Sequence, residues 1–306
     1  NHLNIGRELI TKDSFANSLG ELNFLAGRKA KTANAYELAA NYLNIALELL
    51  PSSSWEDKYD LTLKVYLQAL EVQYLQTNFE RAEKLGNTIL IQVKSVLEQV
   101  RVHKIRIHAY IAQNQMQLAI DIGWQVLKLL KIPLPDDPKQ AQALQALLNF
   151  ESDYTPRTLS ERIESFKTLP EMTDDYSKAG LEILATIIPP VYIVKPQMFP
   201  LTVLTMSDLC LKYGNSPHTP YAYALFGLLL CASGNIDTGY QMGKLALTLE
   251  EQFNAREIKS KVGFIFNNMI RHWKEPAIST LDHFLEGIQD GIEVGDIEHA
   301  CFHSKY

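Results

Sequence analysis

The sequence predicts an all-α fold, a solenoid of antiparallel helical hairpins. A short phrase recurs as NFERAEKLG (Asn78–Gly86), QMQLAIDIG (Gln115–Gly123) and NIDTGYQMG (Asn235–Gly243). Each copy has an apolar residue at its second position, Ala or Gly at its fifth and Gly at its ninth. The fifth positions are 37 and 120 residues apart, and 120 is three intervals of about 40. An interval of this size, filled with helix-forming residues, is typical of stacked helical hairpins.

The small residues of the phrase indicate close helix packing. A glycine inside a helix costs about 1 kcal/mol relative to alanine, so its recurrence at one position indicates a packing role. Weaker copies extend the series, with Ala39 in AYELAANYL before it and Thr280 in AISTLDHFL after it. The predicted repeat positions are Ala39, Ala82, Gly86, Ala119, Gly123, Gly239 and Gly243. This pattern favours a right-handed superhelix like that of tetratricopeptide repeats (TPR-like), with a period of about 40 residues.

The first 131 residues predict three hairpins, at about 8–50, 55–94 and 96–131. Within Trp55–Leu75, one apolar stripe includes Leu63 and Leu70 and a second includes Val65 and Val72. A surface helix has one such stripe, so two stripes predict contacts with both its own partner and the preceding repeat. Ser53 and Glu56 have the spacing of a capping box at the start of this helix. The hairpin turn is expected at 77–78.

The rest of the chain predicts an irregular helical stretch at 138–190, a helix at 199–213, hairpins at 219–252 and 255–292, and a further helix from about 296. Thr158 and Glu161 could open one helix, and Thr219-Pro220 another. The prolines expected to interrupt or kink the middle of the chain are Pro189, Pro190, Pro196 and Pro200. Two degenerate repeat units are expected near 160 and 200. The predicted domains are therefore 1–135, with about three hairpins, 136–200, irregular and degenerate, and 201–306, with the remaining hairpins.

Composition limits the partners. The chain has 306 residues, 46% hydrophobic and 21% charged, which is typical of a folded protein. A net charge of −6 argues against nucleic-acid binding, which needs concentrated Lys and Arg. Three widely spaced cysteines favour the cytoplasm over a disulfide scaffold. The longest charge-free apolar stretches have about a dozen residues, short of the roughly 20 that span a membrane. The chain begins without Met, and we expect it to be a fragment of a longer protein.

No motif in the sequence predicts catalysis, a cofactor or a metal site. The cluster most like a metal site is His299-Ala-Cys301-Phe-His303, but on a helix residue 301 faces away from the two histidines. A structural role is the better interpretation. The carboxylate pairs Asp136-Asp137 and Asp174-Asp175 lie at expected helix starts, where acidic side chains are favourable. The acidic turn Asp290–Glu298 is explained in the same way.

Four tyrosines are candidate groove residues, because the first helices of hairpins line the concave face in many solenoids. They are Tyr59, Tyr66, Tyr74 and Tyr110. Such side chains could anchor a protein partner. The alternative is that they belong to the core, which is the commoner role for aromatic residues at helical spacing.

Several longer phrases resemble a known family. They are GRELI, SWEDKYDLTLKVYLQALEVQYL, NFERAEKL, HKIRIHAYIAQNQMQLAIDIGWQVLKLLKIPLP, LKYGNSP, YAYALFGLLLC, GNIDTGYQMGKLAL, FNAREIKSKVGFIFNNMIRHWKEP and GIEVGDIEHA. Together they resemble the TPR-like helical region that follows the AAA-type predicted ATPase domain in cyanobacterial multidomain hybrid kinases. The resemblance implies a parent with Ser/Thr kinase, ATPase, repeat, GAF and histidine kinase regions. No kinase, Walker or phosphoacceptor motif matches a position here, so no catalytic residue is carried over, and ATP is expected only in other domains.

The sequence therefore predicts a non-catalytic interaction and signal-relay module that binds a protein or a neighbouring domain of its own chain. The alternative is a small-molecule-sensing arm of an AAA/STAND-type ATPase regulator. That alternative predicts a ligand pocket along Ile187–Leu201, because irregular backbone often lines cavities. A helical enzyme domain is a third hypothesis, which phosphotransfer or hydrolytic activity of the fragment would favour.

Overall fold

The computed structural model describes residues 2–5, 13–133 and 156–305, and within them every regular element is a helix. One isolated parallel bridge pairs Glu171 with Asn215. The predicted all-α class is confirmed for this part of the chain. Of the predicted irregular stretch, 138–155 lies outside the described residues, and 156 onward is largely helical.

The α-helices are numbered here in chain order among the described residues. In the first half they are α1 (His2–Ile5), α2 (Asp13–Thr32), α3 (Tyr36–Glu48), α4 (Ser54–Asp57), α5 (Tyr59–Leu75), α6 (Phe79–Gln92), α7 (Val96–Ala112) and α8 (Met116–Leu129). In the second half they are α9 (Pro156–Lys167), α10 (Asp175–Val194), α11 (Phe199–Tyr213), α12 (Thr219–Ala232), α13 (Ile236–Phe253), α14 (Arg256–Phe264), α15 (Leu281–Val294) and α16 (Ile297–Ser304). A π-helix spans Ile265–Ile270, and 3-10 turns span Pro196–Met198, Arg271–Trp273 and Ala277–Thr280.

The chain forms two compact units, Asn1–Ala119 and Ile120–Tyr306, whose boundary lies inside α8. Each unit is described by itself below. The domain boundaries predicted from the sequence stay predictions. The boundary at 135 lies outside the described residues, and the one at 200 falls in the first turn of α11.

In the first unit, α5 buries two opposite sides. Leu63 and Leu70 pack in one cluster with Ala82 and Ile89 of α6. Val65 and Val72 pack in another with Ala39, Ala40 and Leu43 of α3. The two-stripe prediction is thereby confirmed, since one stripe contacts the partner helix of the hairpin and the other contacts the preceding hairpin.

The predicted start of this helix is wrong. A break at Lys58 separates α4 from α5, and the Ser53 side chain makes no capping hydrogen bond to the backbone. Its hydroxyl instead donates to the Asp57 carboxylate at 2.6 Å. A full capping box occurs at the start of α7, where Ser95 and Glu98 each accept from the other's backbone N–H. The turn before α6 is as predicted, with Asn78 accepting from the Arg81 backbone N–H.

In the second unit, the prolines do not interrupt the chain as predicted. Helix α10 continues through Pro189 and Pro190 to Val194. Its burial offsets the two missing hydrogen bonds, because tertiary packing can override local propensity. Pro196 and Pro200 lie at the starts of helices, where a missing backbone N–H costs little.

Helix α10 also corrects the expectation that no stretch is long enough to cross a membrane. It has 20 residues and, by length and composition, is the one candidate span in the described part of the chain. Of its most apolar window, 56% is buried inside the protein, and a buried core helix meets the same criteria.

The last hairpin also differs from the prediction. Helix α14 leads into the π-helix, and α15 pairs with α16 rather than ending a hairpin at 292. A Cβ on Gly291 would lie 2.9 Å from the Cβ of Ala300. The last copy of the phrase is therefore DIEHACFHS (Asp296–Ser304), with Ala300 at its fifth position. Thr280, the small residue singled out in the predicted weak copy AISTLDHFL, lies instead in a 3-10 turn.

All seven predicted repeat positions are buried. At the fifth position, Gly239 of α13 lies against its own partner helix, where an added Cβ would be 2.5 Å from the Gly227 carbonyl oxygen. The ninth-position glycines face helices that follow their own hairpin in the chain. A Cβ at each would first contact Arg106 (from Gly86, 3.1 Å), Ile187 (from Gly123, 2.6 Å) and Phe266 (from Gly243, 2.6 Å).

Candidate ligand cavity in the second unit

An apolar cavity of about 280 Å³ lies among α10, α11, α12, α14, the π-helix and α16. Its apolar lining includes Ile188, Phe199, Leu225, Phe264 and Met269. Small-molecule sites are typically concave, apolar clefts with a few well-placed polar groups. The cavity therefore has the general character of a site for a small apolar or amphipathic molecule.

Four side chains with polar groups line the same cavity: Tyr192, Tyr221, His299 and Lys305. Tyr221 and His299 are 1% and 3% exposed, whereas Lys305 is exposed. No residue in the described ranges hydrogen-bonds the Tyr221 hydroxyl. Burial raises the pKa of Tyr221, and the charges of Glu298 and Asp296 raise it further, so this hydroxyl keeps its proton.

The His299 ring is held by a carboxylate. Its Nδ1 lies 3.0 Å from Asp296 Oδ1, and Phe264 and Phe302 pack edge-on to the ring at centroid distances of 6.2 and 5.4 Å. Burial alone would raise the pKa of Asp296. The hydrogen bond from His299 and the charge of Lys261 outweigh it, so the pKa is lowered. The contact with Asp296 involves Nδ1, and the other ring nitrogen, Nε2, makes no hydrogen bond to any described residue.

This arrangement can bind but has no evident nucleophile. Cys210 and Cys231 are buried, and burial raises the pKa of their thiols to about 12 and about 11, whereas Cys301 does not line the cavity. Within the described residues, no group of three or more His, Cys, Asp or Glu side chains could hold a metal ion. In the cluster His299-Ala-Cys301-Phe-His303, the two histidines are buried and Cys301 is exposed. Residue 301 thus faces away from the histidines, as the helical spacing predicts.

His303 has a structural environment. Its Nε2 lies 2.9 Å from the Ser260 carbonyl oxygen, and Ser260 Oγ donates to the Gly287 carbonyl at 3.0 Å. An added Cβ on Gly287 would overlap the His303 ring, so that glycine makes room for it. Asp174 accepts from the Ser177 backbone N–H at 2.7 Å, as expected for a helix start. Asp136 and Asp137 lie outside the described residues.

The four candidate groove tyrosines lie in the first unit and are half-buried. Tyr59 and Tyr66 flank Trp55, with centroid distances of 5.9 and 4.9 Å. The Tyr59 hydroxyl donates to Glu98 at 3.0 Å. Tyr74 packs on Phe79, and the Tyr110 hydroxyl donates to Glu83 at 3.3 Å. These contacts link neighbouring helices, and the groove role stays a prediction.

Part of the cavity lies where the ligand-sensing alternative predicts a pocket, in Ile187–Leu201. Five lining residues belong to this segment: Ile188, Pro189, Tyr192, Ile193 and Phe199. Irregular backbone is not the cause of the cavity, because most of the segment is regular helix. Tyr221, His299 and Lys305 were missed as a group, since they come from two helices far apart in sequence.

Comparison with known proteins gives one informative similarity. No family model matches the chain. It is 24% identical, over 332 aligned residues, to "Hybrid signal transduction histidine kinase G" of Dictyostelium discoideum. The alignment covers 99% of this chain but 10% of that protein, so the chain spans only a small part of its relative's length. The expected likeness to hybrid kinases is thus supported in part, and the TPR-like, Ser/Thr kinase and ATPase expectations stay predictions.

Proposed function

We propose that this chain is a non-catalytic helical-repeat module that relays signals within a larger, ATP-dependent sensor kinase. The observation that carries the proposal is the similarity to a hybrid signal transduction histidine kinase over 99% of the chain. The module would have a TPR-like superhelical arrangement and act in the cytoplasm. It would bind a protein or a neighbouring domain of its own chain, without nucleic acid, membrane or bound cofactor.

The packing of the hairpins in the first unit supports a relay role. Small residues at repeat positions let helices approach closely, and buried side-chain contacts join α5 to both α3 and α6. Closely packed hairpins can pass a displacement to their neighbours if they have two arrangements that a partner binds differently.

The relay is tested in the natural protein by two glycine substitutions. Gly239→Ala disturbs the α12–α13 contact, whereas Gly20→Ala meets only ordinary contacts at 3.5 Å or more. At a temperature where both variants stay folded, we expect Gly239→Ala to change autophosphorylation at least threefold and Gly20→Ala to leave it unchanged. Equal activity in both variants and the wild type would count against a relay through this hairpin.

A second candidate function is ligand sensing, favoured by the apolar cavity with Tyr221, His299 and Lys305. In that role, the chain would be the effector arm of an AAA/STAND-type ATPase regulator, and occupancy of the cavity would stabilise one arrangement of α10–α16. The cationic Lys305 favours an acid head group on an apolar body.

Octanoate, octanol and octylamine are suitable probes of this cavity. We expect octanoate to raise the unfolding temperature most, and Leu228→Trp, which fills the cavity, to abolish the effect. Leu118→Trp, on an exposed leucine of the first unit, is the matched control. No preference among the three head groups, or an unchanged response in Leu228→Trp, would remove the ligand-sensing candidate.

A further inference from the structure

A second cavity in the same unit is polar and has an unpaired charge. It has a volume of about 260 Å³ and lies among α13, α14, the π-helix and α15. Four carboxylates line it: Glu250, Glu251, Glu286 and Asp290. Its cationic side chains are Lys259 and Arg271, together with His283. It shares no lining residue with the apolar cavity.

Each of these basic side chains already has an acidic partner. Lys259 Nζ lies 3.0 Å from Asp290 Oδ1, and His283 Nδ1 lies 3.1 Å from Glu286 Oε2. Arg271 Nε lies 3.4 Å from Glu275 Oε2, and its Nη1 donates to the Ser279 carbonyl at 3.2 Å. The carboxylates of Asp290, Glu286 and Glu275 therefore already pair with the three basic side chains of the cavity.

Glu250 has no such partner. It is only 7% exposed and lines the cavity, yet no described residue forms a hydrogen bond or ion pair with its carboxylate. Burial raises the pKa of this carboxyl, and the charges of Glu251 and Asp290 add to the effect while Lys259 opposes it. A buried carboxylate without a partner is costly, so a cation bound beside it would gain a strong, desolvated interaction.

The backbone around this cavity is also unusual. Asn267 lies in the π-helix, is 6% exposed, and its Oδ1 has no hydrogen-bond partner among the described residues. π-Helical turns are rare and frequently occur at functional sites. Asn267 lines the same cavity as the four carboxylates, so its side-chain amide gives a ligand a second polar group to contact.

We propose that this cavity binds a small organic cation, a primary amine whose ammonium group pairs with Glu250. The amide of Asn267 supplies a further hydrogen bond to the ligand. The volume lies just below the roughly 300–1,000 Å³ of drug-sized sites, which suits a short aliphatic amine or diamine. A bare divalent metal ion fits less well, because no three or more His, Cys, Asp or Glu side chains among the described residues are arranged so that they could hold a metal ion together. This inference goes beyond the relay function and does not depend on it.

The test measures binding of 1,4-diaminobutane to the full chain by calorimetry, with 1,4-butanediol as the uncharged isostere and CaCl₂ as the metal probe. We expect saturable binding of the diamine and none of the diol. Glu250→Gln keeps the shape of the side chain and removes its charge, and we expect it to weaken diamine binding at least tenfold. Glu257→Gln removes an equal charge at an exposed site of α14 and should leave binding unchanged.

Thermal unfolding without ligand shows whether the variant is folded. Glu250→Gln should unfold at the same or a higher temperature than the wild type, because it removes an unpaired buried charge. Loss of diamine binding in a variant of undiminished stability supports the proposal. The proposal is overturned if the wild type shows no saturable diamine binding, if Glu250→Gln binds the diamine as the wild type does, or if calcium binds with the same dependence on Glu250.

Discussion

The α-carbon of Gly239 in α13 lies against the carbonyl of Gly227 in α12, and the two backbones touch there. A Cβ on Gly239 would lie 2.5 Å from that oxygen and 2.5 Å from Cys231 Sγ, and a Cβ on Gly227 would lie 2.6 Å from the Gly239 carbonyl oxygen. Backbone atoms cannot move aside as a side-chain end can. This contact sets how closely the two helices of the hairpin approach.

Gly239→Ala should therefore destabilise the chain, by about 2 kcal/mol or more, as overpacking of a tight interface does. Gly20→Ala in α2 should be neutral or stabilise by up to about 1 kcal/mol, because alanine favours the helix and meets no close neighbour. Denaturant unfolding of the two variants measures the difference. If both substitutions have the same effect, the backbone contact is not what requires glycine at 239.

Arg106 of α7 joins two hairpins in the first unit. Its Nη2 donates to Glu83 Oε2 at 2.8 Å and to Asn87 Oδ1 at 2.7 Å, and its side chain is 11% exposed. A double-mutant cycle of Arg106→Ala with Glu83→Ala should give a coupling energy of about 1 kcal/mol or more. The exposed pair Lys84–Glu80 is the control and should give at most about 0.5 kcal/mol. Equal coupling in both pairs would contradict a special role for Arg106.

The three cysteines should differ in reactivity. Cys301 is exposed, while Cys210 and Cys231 are buried thiols with raised pKa values. A thiol reagent such as dithionitrobenzoate at pH 8 should label one thiol in the folded chain and three after denaturation, because the thiolate is the reacting form. Cys301→Ser should remove the rapid reaction. Fast labelling of two or more thiols in the folded chain would show that the second unit packs differently.

His103 should make the stability of the first unit depend on pH. Burial, followed by the charge of Arg106, lowers its pKa from 6.5 to about 4, and the side chain is 7% exposed. Between these pH values the unfolded chain binds a proton that the folded chain does not. The free energy of unfolding therefore falls as pH drops from 6.5 to 4, by about 3 kcal/mol for this group.

Fluorescence of Trp55 reports on this unit in a variant with Trp124→Phe and Trp273→Phe. In that background, His103→Gln should flatten the decline in stability between pH 6.5 and 4. His283→Gln, at a partly exposed histidine of the second unit, should not. An unchanged slope in the His103 variant would mean that this histidine titrates normally in the folded chain.

The sequence predicted elements well where local pattern and packing agree. The two stripes of α5 face two clusters as expected, because helix periodicity alone decides which side chains share a face. The prediction was wrong where tertiary packing overrides a local signal. Pro189 and Pro190 lie inside α10, and the capping pair at Ser53 and Glu56 does not form.

The candidate sites were harder to predict. Tyr221 and His299 line one cavity although they are 78 residues apart in the sequence. Glu250 stands beside Glu251 near the end of its helix, a sequence context typical of surface acids. No periodic or spacing rule brings such side chains together. The sequence contains a signal for DIEHACFHS, since Ala300 and the N-cap Asp296 repeat the pattern of the earlier phrases. However, Ala300 is 61 residues from Gly239, which is not a multiple of the interval of about 40 residues.

The central claim is that this chain is a non-catalytic part of a signalling kinase, and phosphate incorporation from labelled ATP tests it most directly. The chain and the natural protein that contains it are incubated with labelled ATP under the same conditions. We predict that the natural protein becomes phosphorylated on histidine, whereas the chain alone takes up no phosphate. Phosphate uptake by the chain alone, or none by the natural protein, would contradict the claim.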